Sequence, residues 1–173
     1  AFYRQRGSAV NHELCPLAGV GVYQLMSTRG YQPIEFTNVL CREIGGEAAT
    51  VAFGQSNSAV VVRVIDVSEA EMWAQTSAQG WSAYPQFTDY ITGIGRNMVL
   101  TSSAVAMVAE LDGLPIATAV LHLIDGIALL AGASTIPAAR RRGAQGALLA
   151  ARLKYAEEQG CRLAMMSALP GSD

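Results

Sequence analysis

The sequence predicts an α/β (α+β) protein whose mixed, mostly antiparallel central sheet is flanked by helices. Three observations lead to this prediction. Apolar runs of strand length alternate with helix-length patterns from residue 59 onward. Asp-Gly pairs separate three consecutive apolar runs, as tight turns do in antiparallel hairpins. A long helical pattern then separates two further apolar runs, and such a strand–helix–strand crossover adds a parallel pair to the sheet.

The first elements of the sheet domain are a valine-rich run and a helix start. Residues 59–66 read AVVVRVID and are predicted to form a strand, because β-branched side chains suit a pleated, half-buried surface. Ser68 and Glu71 have the spacing of a capping box, in which each side chain accepts a backbone N–H of the other residue. A helix is therefore predicted from Ser68 to about Gly80, and a second over residues 84–97.

The remaining elements of this domain are delimited by turn residues. Strands are predicted over residues 104–110, 116–124 and 127–133, and Asp112-Gly113 and Asp125-Gly126 supply the turns. A helix is predicted over residues 143–159, because Gly160 is the residue type that commonly terminates helices. A last strand is predicted over residues 161–168.

The first 44 residues have a different order. Residues 9–14 are predicted as a strand, 20–29 as a helix, and 31–44 as one bent or two short strands. The stretch 45–58 is polar and rich in small residues, which predicts a linker. Because the chain opens Ala-Phe-Tyr-Arg without a methionine, we expect it to be part of a longer polypeptide.

Composition argues against several classes of partner. The chain has 173 residues, 51% of them hydrophobic, and a net charge of −2, so it can bury a sizeable core but lacks the basic surface of nucleic-acid-binding proteins. The most apolar stretch, residues 116–132, is interrupted by His122 and Asp125 and is too short to span a membrane. We therefore expect no nucleic-acid partner, no membrane partner and a cytoplasmic location.

Cysteine and histidine usage argues against a metal site. Cys15, Cys41 and Cys161 have no metal-ligand spacing, and the chain has two histidines that lie far apart. The cysteines are predicted to be buried free thiols of a protein from a reducing compartment.

The clearest chemical signal lies in residues 133–149, which read ASTIPAARRRGAQGALL. A strand runs into Pro137, a basic turn with a glycine follows, and a helical pattern begins. The first backbone N–H groups of a helix lack partners, and the helix dipole adds positive charge there. Such a turn is suited to a phosphate or pyrophosphate. The alternative is an arginine-rich helix start that is merely solvated.

The spacing Pro137-x-x-Arg140-x-x-Gly143-x-Gln145 resembles the coenzyme A signature of the GNAT superfamily of N-acetyltransferases, which reads Arg/Gln-x-x-Gly-x-Gly/Ala. The sequence departs from the signature at Gln145, and Gly146 follows one residue later. The order of elements from residue 59 onward is also similar to the first two-thirds of a GNAT domain.

The resemblance leads to an interpretation of the whole chain. Residues 1–44 resemble the C-terminal part of a GNAT-like unit, or act as a strand-donating extension; an unrelated extension is the alternative. Residues 45–58 are the linker. Residues 59–173 resemble a GNAT core that lacks its usual C-terminal end.

The resemblance also implies an activity: direct transfer of an acetyl group from acetyl-CoA to a primary amine in a ternary complex. A catalytically silent acyl-CoA-binding sensor, or a structural GNAT-like module, is the competing interpretation. The acceptor would be a small-molecule amine or a peptide amine, and the sequence permits a homodimer. The implied cofactor-binding residues are Ala133, Ser134, Thr135, Ile136, Arg140, Arg141, Arg142, Gly143, Ala144, Gln145, Gly146 and Ala147.

Catalytic groups are marked less clearly than the cofactor loop. The family's tyrosine general acid belongs to a helix that would follow residue 173, and the strand before Pro137 has no acidic residue where many members place a glutamate. Glu110, His122 and Ser167 remain as candidate catalytic residues. Each has a structural alternative, namely a solvated strand end, a buried hydrogen-bonded histidine and a strand-end hydroxyl. In the GNAT comparison, Trp81 and Tyr84 are candidates for the acceptor pocket.

Overall fold

The computed structural model describes residues 2–45 and 57–170. The chain divides into two compact units, Ala1–Phe36 and Thr37–Asp173. The predicted linker over 45–58 lies, except at its two ends, outside the described residues. The interpretation of the segments as pieces of GNAT-like units stays a prediction.

The N-terminal unit contains helices α1 (Phe2–Gln5) and α2 (Val20–Thr28). Helix α2 confirms the helix predicted over 20–29. The strand predicted over 9–14 is wrong, since those residues have no strand structure. Strand backbone groups need a neighbouring strand, and the described part of this unit offers none. His12 instead contacts Tyr31, with ring centroids 5.0 Å apart and Nε2 3.3 Å from the hydroxyl oxygen.

The larger unit is built on a six-stranded sheet with the order β1-β6-β5-β4-β3-β2. All neighbouring strands are antiparallel except β5 and β6. The mixed, mostly antiparallel sheet predicted from the turns is confirmed. The strands are β1 (Asn38–Glu43), β2 (Val60–Val64), β3 (Ala104–Leu111), β4 (Leu114–Ile124), β5 (Ile127–Thr135) and β6 (Leu163–Ala168).

Three helices cover the two faces of this sheet: α3 (Ala70–Gln79), α4 (Thr88–Leu100) and α5 (Ala144–Glu158). Side chains of a strand alternate between faces, and β4 shows which helix covers each face. Val120 packs in a cluster with Trp73 of α3 and Val99 of α4. Ala119, the preceding residue, packs in a cluster with Leu148 of α5. Helices α3 and α4 therefore lie on one face, and α5 lies on the other.

The start of the first core helix differs from the prediction. The capping box is formed by Asp66 and Glu69 rather than by Ser68 and Glu71. The Asp66 carboxylate accepts the Ser68 N–H at 2.9 Å, and the Glu69 carboxylate accepts the Asp66 N–H at 3.0 Å. Glu71 is used elsewhere, because its carboxylate accepts a hydrogen bond from Arg96 of α4 at 2.9 Å. This guanidinium lowers the pKa of Glu71.

All three cysteines are free, as predicted, but the predicted burial is correct for only one of them. Cys161 is buried, whereas Cys15 and Cys41 are exposed. Cys41 lies on β1, at one end of the strand order. Within residues 2–45 and 57–170, no group of three metal-ligating side chains occurs. No helix of the same residues has the length and apolar character needed to cross a membrane.

Two glycines of α4 are expected to respond oppositely to alanine. A Cβ at Gly95 would lie 3.1 Å from Ala74 Cα, whereas one at Gly93 would meet nothing within 4 Å. We expect Gly93→Ala to stabilise the fold by about 0.5–1 kcal/mol, because glycine costs a helix more conformational entropy. Gly95→Ala should destabilise it by about 1–3 kcal/mol, because α3 and α4 must separate. Urea unfolding of both variants measures the difference, and equal shifts would contradict the packing.

Candidate functional site

The main structural irregularity of the sheet is a split between β5 and β6. These parallel strands pair only from Ile127–Leu163 to Leu129–Met165. Beyond that point β6 stays paired with β1, and β5 stays paired with β4. The split leaves residues 130–135 of β5 without a strand neighbour on one side, within the part of the chain that the structure describes.

A β-bulge lies inside this unpaired segment. The register of β5 against β4 shifts by one between Ala131 and Ser134, so Gly132 and Ala133 together oppose Ala119. Gly132 has a φ of +58°, a left-handed conformation that side chains rarely adopt. The bulge therefore turns the strand locally and changes where its backbone groups point.

The direction of the backbone groups beyond the bulge follows from one hydrogen bond. The N–H of Ile136 donates to Ile116 O at 3.0 Å, so the backbone groups of Ile136 face β4. Because successive residues of a strand alternate in this respect, the N–H and C=O groups of Thr135 face the split. Counted back from Ser134, which pairs with Thr118, the same alternation assigns the groups of Ala133 to the split as well. The strand thus presents unpaired donors and acceptors on an open edge.

The C-terminal end of α3 approaches this open edge. A Cβ at Gly80 would lie 1.9 Å from Ser134 Oγ and 3.0 and 3.1 Å from Thr135 N and O. The Ser134 hydroxyl donates to Ser77 O at 2.7 Å, and Arg140 Nη2 donates to Gly80 O at 3.0 Å. These bonds fasten α3 to the end of β5, and the missing side chain of Gly80 allows this close approach to Ser134 and the Thr135 backbone.

The basic turn after β5 leads into α5, whose start has no side-chain cap. Arg141 and Gly143 both have positive φ, +60° and +83°, which directs the chain into α5. The first hydrogen bond of α5 runs from Ala147 N to Gly143 O at 3.0 Å. The N–H groups of residues 144–146 therefore have no acceptor within the helix. Its first turn carries no acidic side chain, so this helix start is suited to an anion.

The three arginines of the turn have different roles. Arg140 is held by the Gly80 carbonyl. Arg141 and Arg142 are exposed, and their guanidinium groups form no ion pair with any described residue. Both are available to an anion at the helix start.

Gln145 has a structural role that its place in the motif does not reveal. Its Nε2 donates to Ser134 O at 2.9 Å and to Thr135 Oγ1 at 2.8 Å. The side chain thus reaches back from the first turn of α5 to the end of β5. Gln145, the residue at which the sequence departs from the family signature, therefore links the helix to the strand.

The loss of this link should be measurable. We expect Gln145→Ala to lower the free energy of unfolding by about 1–3 kcal/mol, because two partly buried hydrogen bonds are lost. Gln75→Ala is the matched control: it removes a bond to Glu71 that lies on the exposed face of α3, and we expect a change below about 0.5 kcal/mol. Denaturant unfolding compares the two. A Gln145 effect no larger than that of the control would contradict the assigned link.

Glu110 lies two strands away from the split. It is on β3, and its carboxylate accepts hydrogen bonds from Arg63 Nε at 3.0 Å and Nη2 at 2.9 Å. Arg63 also pairs with Glu69 at 2.7 Å, and the two carboxylates raise the pKa of Arg63. Glu110 belongs to an ion-pair cluster, at about 10 Å from β5 by the spacing of neighbouring strands.

The other two candidate catalytic residues lie in different surroundings. His122 is half-buried, faces Ser103 with Nδ1 3.3 Å from the hydroxyl oxygen, and pairs across the strands with Leu129. Ser167 is exposed on β6, beyond the last β5–β6 pair. Of the three candidates, Ser167 is therefore the one on a wall of the split.

Exposed aromatic side chains follow Gly80. Trp81 and Tyr84 are 45% and 52% exposed, with ring centroids 6.3 Å apart. Phe87 and Tyr90 continue the exposed series towards α4. The connection that approaches the open strand edge therefore carries a group of accessible aromatic rings.

Arg152 was not among the predicted site residues, and it is 4% exposed on the sheet-facing side of α5. Leu148 and Ala156, four residues before and after it, are also buried. Residues four apart on a helix share a face, so a position between Leu148 and Ala156 signals burial. Burial lowers the pKa of Arg152 to about 10, which still leaves the guanidinium charged at neutral pH.

Comparison with known proteins adds a family match. Residues 66–170 match the model of the acetyltransferase (GNAT) family. A GCN5-related N-acetyltransferase from Kribbella flavida is similar in structure, with a TM-score of 0.68 and 22% identity over 99% of this chain. The chain spans 63% of that protein's length. No curated protein matches the sequence.

Two further solved structures share the fold. A predicted acetyltransferase with acetyl-CoA from Clostridium acetobutylicum has a TM-score of 0.51 and 17% identity, over 64% of this chain and 82% of its own. An aminoglycoside acetyltransferase in complex with a bisubstrate analogue of CoA and acetylneamine has a TM-score of 0.53 and 22% identity, over 66% of this chain and 83% of its own.

Proposed function

Since the chain belongs to the GNAT acetyltransferase family, we propose that it binds acetyl-CoA and transfers the acetyl group to a primary amine. One observation carries this proposal: an open strand edge and an uncapped, basic helix start lie at the same end of the sheet. The first suits an extended amide-containing chain, and the second suits a pyrophosphate. Acetyl-CoA contains both groups in sequence.

The helix start is the proposed pyrophosphate site. The N–H groups of residues 144–146 supply donors, and Arg141 and Arg142 supply charge-assisted hydrogen bonds. The link from Gln145 to β5 supports this assignment, because it fixes the helix start relative to the strand.

The open edge of β5 is the proposed site of the pantetheine arm. This arm contains amide groups, and it would pair with the backbone of Ala133 and Thr135 as an added strand does. Gly80 lies so close to Thr135 that any side chain at position 80 would press on the Thr135 backbone. The acetyl-CoA complex of the Clostridium acetobutylicum protein supports this choice of cosubstrate.

The proposed transfer is a direct attack of a neutral amine on the thioester carbonyl. The carbon–nitrogen bond forms, the carbon–sulfur bond breaks, the amine loses a proton, and CoA leaves as the thiol. The N–H of Ala133 faces the split and would donate to the carbonyl oxygen as negative charge develops there. The protein contributes mainly proximity and orientation.

The acceptor is proposed to be a small-molecule or peptide amine that enters beside Trp81 and Tyr84. These exposed rings lie on the connection that follows Gly80, which packs against the Thr135 backbone. Among the candidate catalytic side chains, Ser167 has the position from which a hydroxyl can orient the amine or a water.

One observation favours a second candidate function, an acyl-CoA-binding module without catalysis. Glu110 is held by Arg63, and His122 is hydrogen-bonded to Ser103. Neither side chain lies on a strand that forms a wall of the split, since Glu110 is on β3 and His122 is on β4. A binding protein needs no further residue, whereas an enzyme needs a base.

Labelled acetyl-CoA distinguishes the two functions. Binding is measured by calorimetry, and transfer is measured with a panel of polyamines, aminoglycosides and peptides with free N-termini. We expect both binding and transfer. Binding without transfer to any amine would favour the module, and the absence of binding would contradict both.

A further inference from the structure

Arg152 is a buried cation that the proposed chemistry leaves without a role. Its Nε donates to Leu148 O at 3.3 Å in its own helix. Its Nη1 donates to Val120 O at 3.3 Å and to Ala131 O at 3.4 Å. One side chain therefore joins α5 to two adjacent strands of the sheet.

Filling a core position with a buried arginine is energetically unfavourable. Among the described residues Arg152 forms no ion pair with a carboxylate, and a buried charge without a counter-charge is strongly disfavoured. Leu148 and Ala156, one turn away on either side, show that the same helix face otherwise accepts apolar side chains. The contacts that Arg152 makes must therefore explain its presence.

The two strand carbonyls flank the β-bulge. Val120 and Ala131 are the last regular pair before the register shift. The Ala131 carbonyl belongs to the peptide unit that leads into Gly132, whose left-handed φ defines the bulge. By holding both carbonyls, Arg152 fixes the strands at the point where the backbone leaves regular geometry.

The opposite face of the bulge is also closely packed. A Cβ at Gly132 would lie 3.0 Å from Val120 Cγ1, 3.2 Å from Met98 Sδ and 3.4 Å from Trp73 Cη2. The bulge is thus held from below by a cation on α5 and from above by α3 and α4. Beyond the bulge, the N–H of Ala133 is assigned to the split, like that of Thr135.

We propose that Arg152 is a positioning residue for acyl transfer, which holds the Val120 and Ala131 carbonyls so that the Ala133 N–H stays directed at the thioester carbonyl. This inference rests on the proposed function. Arginine suits the task because its planar guanidinium presents several donors in a fixed geometry, whereas a lysine ammonium is a single point charge on a flexible stem.

The test compares Arg152→Met, which keeps the length of the stem, and Arg152→Lys, which keeps the charge. Arg162→Met is the control, because Arg162 is exposed and lies one residue before β6. Hydrogen exchange of residues 127–135 reports the bulge without requiring turnover. The carbonyl-¹³C shift of bound acetyl-CoA, together with kcat and KM, reports whether the Ala133 N–H still donates to the thioester carbonyl.

We expect Arg152→Met to speed exchange in residues 127–135 and to move the bound carbonyl shift towards its value in water. We expect kcat to fall about 10- to 100-fold, as when a positioned oxyanion donor is lost, with KM for acetyl-CoA changed less than about threefold since uniform binding is retained. For Arg152→Lys, we expect exchange rates, carbonyl shift and kcat between those of the parent chain and those of Arg152→Met. For Arg162→Met, we expect all three to match the parent chain.

Two kinds of result overturn the inference, and they differ from failure of the proposed function. If the parent chain transfers acetyl groups and a folded Arg152 variant has parental exchange, carbonyl shift and kcat, Arg152 has no positioning role. If exchange rises but kcat and the carbonyl shift do not change, Arg152 only supports the fold. If the parent chain neither binds nor transfers, the proposed function itself is wrong and the inference falls with it.

Discussion

Reversing the charge of Arg141 and Arg142 together to glutamate is expected to weaken CoA binding by at least about 100-fold, because two charge-assisted hydrogen bonds to phosphate are replaced by repulsion. Both side chains are exposed, so the fold should tolerate the change. Calorimetric titration with CoA measures the loss, and thermal unfolding checks that the variant is folded.

The matched control carries the same change of charge elsewhere. Lys154 lies on the exposed side of α5, and Arg162 lies one residue before β6. Lys154→Glu with Arg162→Glu should leave the Kd within about threefold, because surface charges beyond a Debye length are largely screened. An equal loss in both double variants would mean that net charge, rather than the turn, governs binding.

Gly80→Ala is expected to lower CoA affinity by about tenfold or more, because overpacking of a fitted site displaces its backbone. The added Cβ would lie within 3.1 Å of both Thr135 N and Thr135 O, the groups proposed to pair with the pantetheine arm. The variant should also lose about 1–3 kcal/mol of stability. Calorimetry and denaturant unfolding measure the two effects.

A double variant separates the effect of the clash with Ser134 from the effect of the clash with the Thr135 backbone. Gly80→Ala combined with Ser134→Ala removes the contact with Ser134 Oγ but keeps the one with the Thr135 backbone, so affinity should stay low. Gly93→Ala is the control, since a Cβ there meets nothing within 4 Å, and it should bind CoA as the parent chain does. Parental affinity of the Gly80→Ala variant would contradict the assigned open edge.

Local turn chemistry made much of the core sheet predictable. Asp112 and Asp125 adopt φ of +53° and +49°, and the glycines that follow adopt +75° and +78°. These are the positive values that two-residue hairpin turns of this type require. The alternation of apolar runs then places the hairpin β3–β4–β5, and the pattern of α5 places the parallel strand β6. The sequence resemblance to the GNAT family is confirmed by the family match over residues 66–170.

The errors came from interactions between distant parts of the chain. Residues 9–14 have strand-like composition, but a strand forms only where a partner is available. The capping box is formed by Asp66 and Glu69, and Glu71 is instead engaged by Arg96, 25 residues away in sequence. The pairing of β1 with β6 brings Asn38 opposite Ala168, and no local pattern predicts that register.

The features of the site also divide into local ones, which the sequence indicates, and ones that join distant parts of the chain. The basic turn and the uncapped helix start are local features, so the sequence indicated them directly. Three features of the site join residues from different elements: the close approach of Gly80 to the end of β5, the bonds of Gln145 to β5, and the contacts of Arg152 with the bulge. Their spacing in the sequence gives no sign of these contacts, with the exception of the burial expected for Arg152.

Hydrogen exchange with and without acetyl-CoA is the sharpest test of the proposed site, because it reports binding and its location together. We expect slower exchange of the amides of residues 133–135 and 144–147 when acetyl-CoA is added, with little change in β2, β3 and α4. Binding that protects other segments and leaves these amides unchanged would contradict the proposed site.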